Sequence, residues 1–134
     1  MTTRPQSLAG VAGTSSPGQI DYRLVRSRVV DEFQRGRLSR HEVCDAQPEL
    51  LRAATHCGRP LGQDCPICEE GGLVLVSYVF GARLPAHGRC VTSARELARL
   101  ERRKDALTGY LVEVCASCRW NHLLRSFPVG AAGA

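Results

Sequence analysis

Two Cys-x-x-Cys pairs are the part of this sequence best suited to chemistry. They are Cys65-Pro66-Ile67-Cys68 and Cys115-Ala116-Ser117-Cys118, and 46 residues lie between them. In such a turn, backbone N–H groups point at the first sulfur and help to hold it as a thiolate. Two turns brought together present four thiolates in the tetrahedral arrangement that Zn²⁺ prefers. The sequence therefore predicts one structural Zn²⁺ held by Cys65, Cys68, Cys115 and Cys118, with no open coordination position for a reaction.

A redox interpretation of the first pair remains open. Cys65 and Cys68 flank Pro-Ile, as in a dithiol oxidoreductase motif, but that chemistry needs a cysteine of low pKa at the N-terminus of a helix in a βαβ unit. Here a Gly-Gly turn and a strand pattern follow Cys68, and the second pair competes for the first. A related alternative is a zinc-dependent redox sensor, which needs a further reactive cysteine, either Cys57 or Cys90.

Cys44, Cys57 and Cys90 share no metal-ligand spacing with one another, although His56 or Cys57, which closely precede Cys65, could substitute for a ligand. Cys44, Cys57 and Cys90 are expected to be small buried side chains or half-exposed thiols. His122 lies four residues after Cys118 and is an alternative fourth ligand. His41 and His87 have no identifiable partner in the sequence.

The elements that must position the two pairs are predicted to be strands, because apolar residues alternate from Cys65 onward. The predicted strands cover residues 73–80, about 87–91, 110–114 and 120–127. A capping box from Ser93 to Glu96 opens a helix over residues 93–104, with Leu97 and Leu100 facing inward. Strands, an inserted helix and two cysteine turns in this order are the plan of a zinc ribbon that carries an insertion.

Residues 19–59 are predicted to form three short helices. One face of the first helix carries four apolar side chains at helical spacing: Tyr22, Val25, Val29 and Phe33. Ser39 and Glu42 form a capping box at the start of the second helix. Asp45 or Gln47 caps the third helix, which has Pro48 in its first turn and ends at Gly58.

Composition and charge set limits on the kind of protein. The 134-residue chain carries a net charge of +5, which permits a polyanionic partner but is equally typical of a modestly basic protein that binds none. It contains seventeen arginines against a single lysine, Lys104, which suggests a gene of high G+C content. We see no secretory signal and no apolar run of transmembrane length, and therefore predict a reducing, cytoplasmic compartment in which paired cysteines bind metal. The tails, residues 1–18 and 129–134, are predicted to be disordered or flexible.

Basic and aromatic residues that could contact a partner fall into two groups. Arg99, Arg102 and Arg103 share one face of the predicted inserted helix. The second group follows the second cysteine pair: Arg119, Trp120, His122 and Arg125. An exposed aromatic ring beside arginines can stack on a base and contact phosphate. For Trp120 we favour the structural alternative, in which the indole covers the zinc turn and fills a thin core.

A helix-turn-helix that reads DNA is a further, less favoured interpretation of residues 38–57. Its second helix would open with Pro48-Glu49-Leu50-Leu51, which offers an acidic and two apolar side chains where base-contacting groups are needed.

Several short motifs in one order resemble the actinobacterial domain of unknown function 5318. They are Glu42-Val43-Cys44-Asp45-Ala46, Pro48-Glu49-Leu50-Leu51-Arg52-Ala53-Ala54, Cys65-Pro-Ile-Cys68, Val79-Phe80-Gly81, Val112-Glu-Val-Cys-Ala-Ser-Cys118 and Trp120-Asn121-His122-Leu123. The likeness covers roughly residues 23–127. It implies a cytosolic actinobacterial protein and supports the four cysteine ligands, whereas Cys57 and Cys90 match no motif of the family.

These observations predict an α+β protein, in which a small N-terminal helical part (19–59) packs on a zinc-ribbon-like antiparallel β unit (60–128) with an inserted helix (93–104). The chain has no Ser/His/Asp set, phosphate loop or dinucleotide fingerprint. We therefore expect a non-enzymatic accessory or regulatory protein that docks on a nucleic-acid machine, such as RNA polymerase or the ribosome, through contacts with protein or nucleic acid. We expect neither membrane association nor a small-molecule substrate. The alternative is a zinc/thiol redox sensor or a thiol oxidoreductase.

Overall fold

A computed structural model describes residues 18–86 and 88–130 and contains four helices and six strands in that part of the chain. The helices are α1 (Arg23–Gln34), α2 (Arg40–Val43), α3 (Pro48–Cys57) and α4 (Ala94–Glu101). The strands are β1 (Ile20–Asp21), β2 (Arg59–Asp64), β3 (Gly72–Phe80), β4 (Arg89–Cys90), β5 (Leu107–Cys115) and β6 (Asn121–Val129).

The strands form one antiparallel sheet in the order β1-β6-β5-β3-β2, with β4 paired to β3. Pro60 of β2 lies opposite Val74 of β3, and Tyr78 of β3 lies opposite Cys90 of β4. The helices together with this sheet confirm the predicted α+β class.

The chain divides into two compact units, each assembled from segments that are distant in sequence. We call residues 22–76 and 112–124 the cysteine unit, because it contains both Cys-x-x-Cys turns. The described residues of 1–21, 77–111 and 125–134 form the α4 unit. Most of the two predicted tails lies outside the described residues; Val129, which is described, is buried at the end of β6.

The core of the cysteine unit includes two of the predicted ligands. Its buried residues are Val43, Cys65, Ile67, Leu73, Cys115 and Trp120. Helix α1 packs against this core through Val29, Val30 and Phe33, which are partly buried. Val25 shares the predicted apolar face but is half exposed, because the helix packs against the core nearer its C-terminal end.

Hydrogen bonds at the helix starts confirm the first capping box and modify the second. Ser39 Oγ accepts the Glu42 N–H at 3.2 Å, and the Glu42 carboxylate accepts the Ser39 N–H at 2.9 Å. At α4, Ser93 Oγ accepts the Glu96 N–H at 3.1 Å, but the Glu96 carboxylate binds the Thr92 N–H and Arg89 instead of returning to Ser93.

One predicted helix starts where expected but without a side-chain capping bond, and another ends earlier than predicted. Helix α3 begins after Gln47, which makes no side-chain capping bond, and Asp45 instead accepts a hydrogen bond from Asn121. Helix α4 ends at Glu101 rather than near Lys104, because the Arg102 and Arg103 N–H groups bond back to carbonyls of the last turn.

The α4 unit has an apolar interior of its own. Leu97 and Leu100 of α4 are buried, as predicted, and so are Leu107 and Phe127. Gly109 allows Phe127 to approach β5, since a Cβ at this position would lie 2.6 Å from the phenyl ring.

Candidate metal centre

The two Cys-x-x-Cys pairs adopt the same backbone turn. In the first, the Glu69 N–H donates to the Cys65 carbonyl at 3.0 Å; in the second, the Arg119 N–H donates to the Cys115 carbonyl at 2.9 Å. Glu69 and Arg119 have left-handed backbones, with φ of 62° and 77°. This matched, uncommon conformation curls each turn so that both of its sulfurs point the same way.

A glycine lets the two turns approach each other. A Cβ on Gly71 would lie 2.6 Å from Cys115 Sγ and 2.8 Å from Ser117 Oγ. The Gly71 carbonyl also accepts the Cys65 N–H at 2.8 Å, which closes the first turn. Only a residue without a side chain fits this position unchanged.

The four predicted ligands come together. The Sγ atoms of Cys65, Cys68, Cys115 and Cys118 all lie within 4.8 Å of one another. Cys65 Sγ is 3.6 Å from Cys118 Sγ, and Cys68 Sγ is 3.7 Å from Cys115 Sγ. A tetrahedral site with metal–sulfur bonds of about 2.3 Å has sulfur–sulfur edges of about 3.8 Å. The group therefore has the dimensions needed to hold one metal ion.

The protonation of these thiols depends on burial and on backbone N–H groups. Burial raises the pKa of Cys65 and Cys118. Burial also opposes ionisation of Cys68, but the N–H groups of Glu70 and Gly71 and the neighbouring thiols lower its pKa to about 7. Because a metal binds thiolates, its uptake must release protons from this cluster.

Trp120 forms one wall of the centre. Its side chain is 1% exposed, and Nε1 donates to Glu113 Oε2 at 2.7 Å. This burial agrees with the structural interpretation favoured from the sequence and leaves no indole face open for stacking on a base. His122 stacks on Trp120 with ring centroids 5.8 Å apart, and its Nδ1 donates to the Leu123 carbonyl at 2.7 Å.

Comparison with known proteins identifies the family. Residues 15–134 match the family of unknown function DUF5318. The chain belongs to this family. It is 45% identical over 113 residues to an uncharacterized protein of Mycobacterium bovis and to its counterparts in two strains of Mycobacterium tuberculosis, covering 84% of this chain and 82% of theirs. No solved structure matches the chain.

Membership of DUF5318 confirms the resemblance predicted from the short motifs, and the mycobacterial relatives agree with an actinobacterial origin. Across the described residues of this DUF5318 protein, every helix is too short or too polar to cross a membrane.

The site contains a fifth cysteine that sequence spacing did not reveal. Cys44, the residue that ends α2, donates its S–H to Cys118 Sγ at 3.5 Å. Its only sequence signal was its place in one of the DUF5318 motifs. Cys57 ends α3 and Cys90 lies in β4, and neither belongs to the four-cysteine group.

An open cavity adjoins this fifth cysteine. The cavity has a volume of about 340 Å³. Its lining residues are Arg40, His41, Cys44, Cys118 and Arg119. Arg119, one of the predicted contact residues, is exposed here, and its guanidinium also donates to the Ala46 carbonyl at 3.1 Å.

The arginines predicted on the inserted helix lie in the α4 unit. Arg99 and Arg103 line a cavity of about 280 Å³ with Arg89 and Glu96. Arg103 also pairs with Asp105 through two hydrogen bonds, of 3.0 and 2.7 Å.

The last two predicted contact residues differ in exposure. Arg102 directly follows α4 and is exposed. The Arg125 side chain in β6 is only 12% exposed, and its guanidinium lies 3.9 Å from the Asp21 carboxylate.

Proposed function

We propose that this DUF5318 protein is a non-enzymatic zinc-binding protein that docks on a nucleic-acid machine of transcription or translation. The zinc assignment depends on one observation: the Cys65–Cys118 and Cys68–Cys115 sulfur distances, 3.6 and 3.7 Å, match the edges of a tetrahedral thiolate site. Four thiolates favour zinc or iron over hard cations such as Mg²⁺, which prefer oxygen. We assign zinc rather than iron, because zinc does not require the protein to have an electron-transfer role.

The surroundings of the four thiolates support a structural role for the metal. Cys65 and Cys115 belong to the buried core of the cysteine unit, so the ion would replace apolar contacts that a thin core lacks. Cys68 is followed by a turn and β3 rather than by a helix. This arrangement lacks the helix N-terminus that activates a dithiol oxidoreductase, and it therefore favours the non-enzymatic proposal.

Metal analysis of protein purified without added zinc tests this part of the proposal. We expect one zinc per chain, four thiols protected from alkylation, and loss of protection and of near-UV circular dichroism on chelation. Iron in place of zinc, or a disulfide within either Cys-x-x-Cys pair with no metal, would overturn the assignment. Serine replacement of Cys65 should abolish binding, whereas Cys57→Ser should leave one zinc bound.

The α4 unit supplies the charge for docking. Two cavities, of about 280 and 410 Å³, share Arg103 in their walls. Their charged lining residues are Arg83, Arg89, Arg99, Arg103 and Lys104, against Glu96 and Asp105. Five cations against two carboxylates give a positive surface that suits phosphates. We call this surface the basic face.

Salt dependence distinguishes direct nucleic-acid contact from docking on protein. We expect the zinc-loaded protein to bind a fluorescein-labelled single-stranded RNA or duplex DNA, with affinity falling steeply as salt rises. Replacing Arg99 and Lys104 by alanine should lower affinity about tenfold and make the salt slope shallower by nearly two. Arg28→Ala, which removes an exposed arginine of α1, is the matched control and should change little. Absence of binding at low salt would exclude direct contact with nucleic acid.

A further inference from the structure

We propose that Cys44 and Cys118 form an oxidation-sensitive thiol pair, in which a hydroperoxide converts the two thiols into a disulfide and removes Cys118 from the metal site. The inference builds on the proposed zinc site. It adds a modification site and a class of oxidant, and it places the reactive thiol at Cys44 rather than at Cys57 or Cys90.

The distance between the two sulfurs is the first support. Cys44 Sγ lies 3.5 Å from Cys118 Sγ, and a disulfide requires about 2.05 Å. Closing this gap needs an approach of about 1.5 Å between the two sulfurs. Cys44 lies outside the four-cysteine group, so it is free of a ligand role while its neighbour has one.

The backbone around the pair holds the two thiols together. The Ala46 N–H donates to the Arg119 carbonyl at 3.0 Å, and the Arg119 guanidinium donates back to the Ala46 carbonyl at 3.1 Å. Asn121 Nδ2 donates to Asp45 Oδ1 at 3.0 Å. These bonds join the residues that follow each cysteine, so the sulfur pair is maintained by the fold and not by a single side-chain conformation.

Access is the second support. Cys44 and Cys118 are both half-buried and both line the cavity of about 340 Å³, whereas Cys65 and Cys115 are 1% and 0% exposed. The other lining residues, Arg40, His41 and Arg119, are exposed and polar. A small water-soluble hydroperoxide can therefore reach this pair, while the buried ligands are shielded from it.

The chemistry balances as a two-electron oxidation. Cys44 Sγ attacks one oxygen of the hydroperoxide, the O–O bond breaks, and Cys44 becomes a sulfenic acid while water or an alcohol leaves. The Cys118 thiolate then attacks the Cys44 sulfur and expels hydroxide, which forms the disulfide. Each sulfur gives one electron, and both electrons reduce the peroxide. A disulfide sulfur is no longer a thiolate ligand, so the metal site loses one of its four donors.

The experiment treats the zinc-loaded full chain with stoichiometric hydrogen peroxide and follows zinc release with a chromophoric chelator. Disulfides are mapped by peptide mass spectrometry at the same times. We expect a Cys44–Cys118 disulfide that forms together with zinc release, and dithiothreitol should reverse both. Cys44→Ser should still bind one zinc and should slow the release at least tenfold, whereas Cys57→Ser and Cys90→Ser should behave as the parent protein.

Several outcomes would overturn the inference. They are release at the parent rate from Cys44→Ser, a disulfide within a Cys-x-x-Cys pair in place of Cys44–Cys118, and stable sulfenic acid at Cys44 with no disulfide. Failure of the parent protein to hold zinc before oxidation would instead refute the proposed function. Disulfide mapping would still decide whether Cys44 and Cys118 pair in that case.

Discussion

The Arg26 guanidinium donates to the buried Glu113 carboxylate, with 2.7 Å between Nε and Oε2. Glu113 is 3% exposed, and the same oxygen accepts the Trp120 indole N–H at 2.7 Å. Arg26 lies on α1 and Glu113 on β5, so one carboxylate links the first helix of the cysteine unit to the indole beside the metal centre.

Removing the cation from this arrangement should be costly. Arg26→Met leaves a buried carboxylate with a single neutral donor, and we expect a loss of about 3 kcal/mol in the free energy of unfolding. Urea denaturation of the zinc-loaded protein measures it. Arg35→Met is the control on the same helix, because the Arg35–Asp31 pair is more than half exposed and should contribute less than about 0.5 kcal/mol.

A second variant separates charge from packing at the same place. Adding Glu113→Gln to Arg26→Met removes the unpaired charge and keeps an oxygen for the indole, so the double variant should be more stable than Arg26→Met alone. Equal losses for the Arg26 and Arg35 variants would show that the buried pair contributes no more than an exposed one. No recovery in the double variant would show that the loss comes from packing and not from the unpaired charge.

The capping bond of Ser39 should support the segment that carries Cys44. Helix α2 has four residues, and losing the Ser39 Oγ acceptor leaves the Glu42 N–H with the Ser39 carbonyl, at 3.1 Å, as its remaining acceptor. We expect Ser39→Ala to lower stability by about 1 kcal/mol, measured by denaturant unfolding. Ser27→Ala, at an exposed position inside α1, should be neutral or slightly stabilising. Comparable losses in both variants would refute a specific capping role.

Features with a local cause could be predicted from the sequence. Strands β3 and β5 have alternating apolar residues, and each lies beside a Cys-x-x-Cys turn, so their pattern and the ligand spacing agree. The Ser39 capping box needs four consecutive residues, all visible in the sequence. Such signals depend on residues that are neighbours in the chain, so the folded protein shows the local structure that they predict.

Features that depend on distant partners could not be predicted. Strand β2 contains Pro60 and Gly62, which weaken any strand pattern, and it forms because β3 offers its edge. Cys44 reaches Cys118 through bonds between Ala46 and Arg119, which are 73 residues apart. The two compact units are likewise built from separated segments, a division that sequence order does not show.

Zinc affinity should rise steeply with pH. Because burial raises the pKa of Cys65 and Cys118, both thiols are protonated near neutral pH without metal, and zinc must displace their protons. Each displaced proton changes the apparent affinity about tenfold per pH unit, so we expect at least about 100-fold between pH 6 and 7. Above pH 7 the slope should decrease, since the pKa of Cys68 is about 7 and this thiol has then lost its proton. Competition with a chromophoric chelator measures the slope, and a flat profile would contradict cysteine ligation.

Gly71 offers the sharpest test of how closely the two cysteine turns must approach. In Gly71→Ala the new Cβ would lie 2.6 Å from Cys115 Sγ, so the turns must separate and the tetrahedral edges lengthen. We expect zinc affinity to fall at least tenfold, measured by chelator competition at pH 7.5. Gly72→Ala is the matched control, because a Cβ at the next residue meets no atom within 4 Å. Its affinity should equal that of the parent protein, and an equal loss in both variants would show that chain stiffness, not the sulfur contact, requires glycine here.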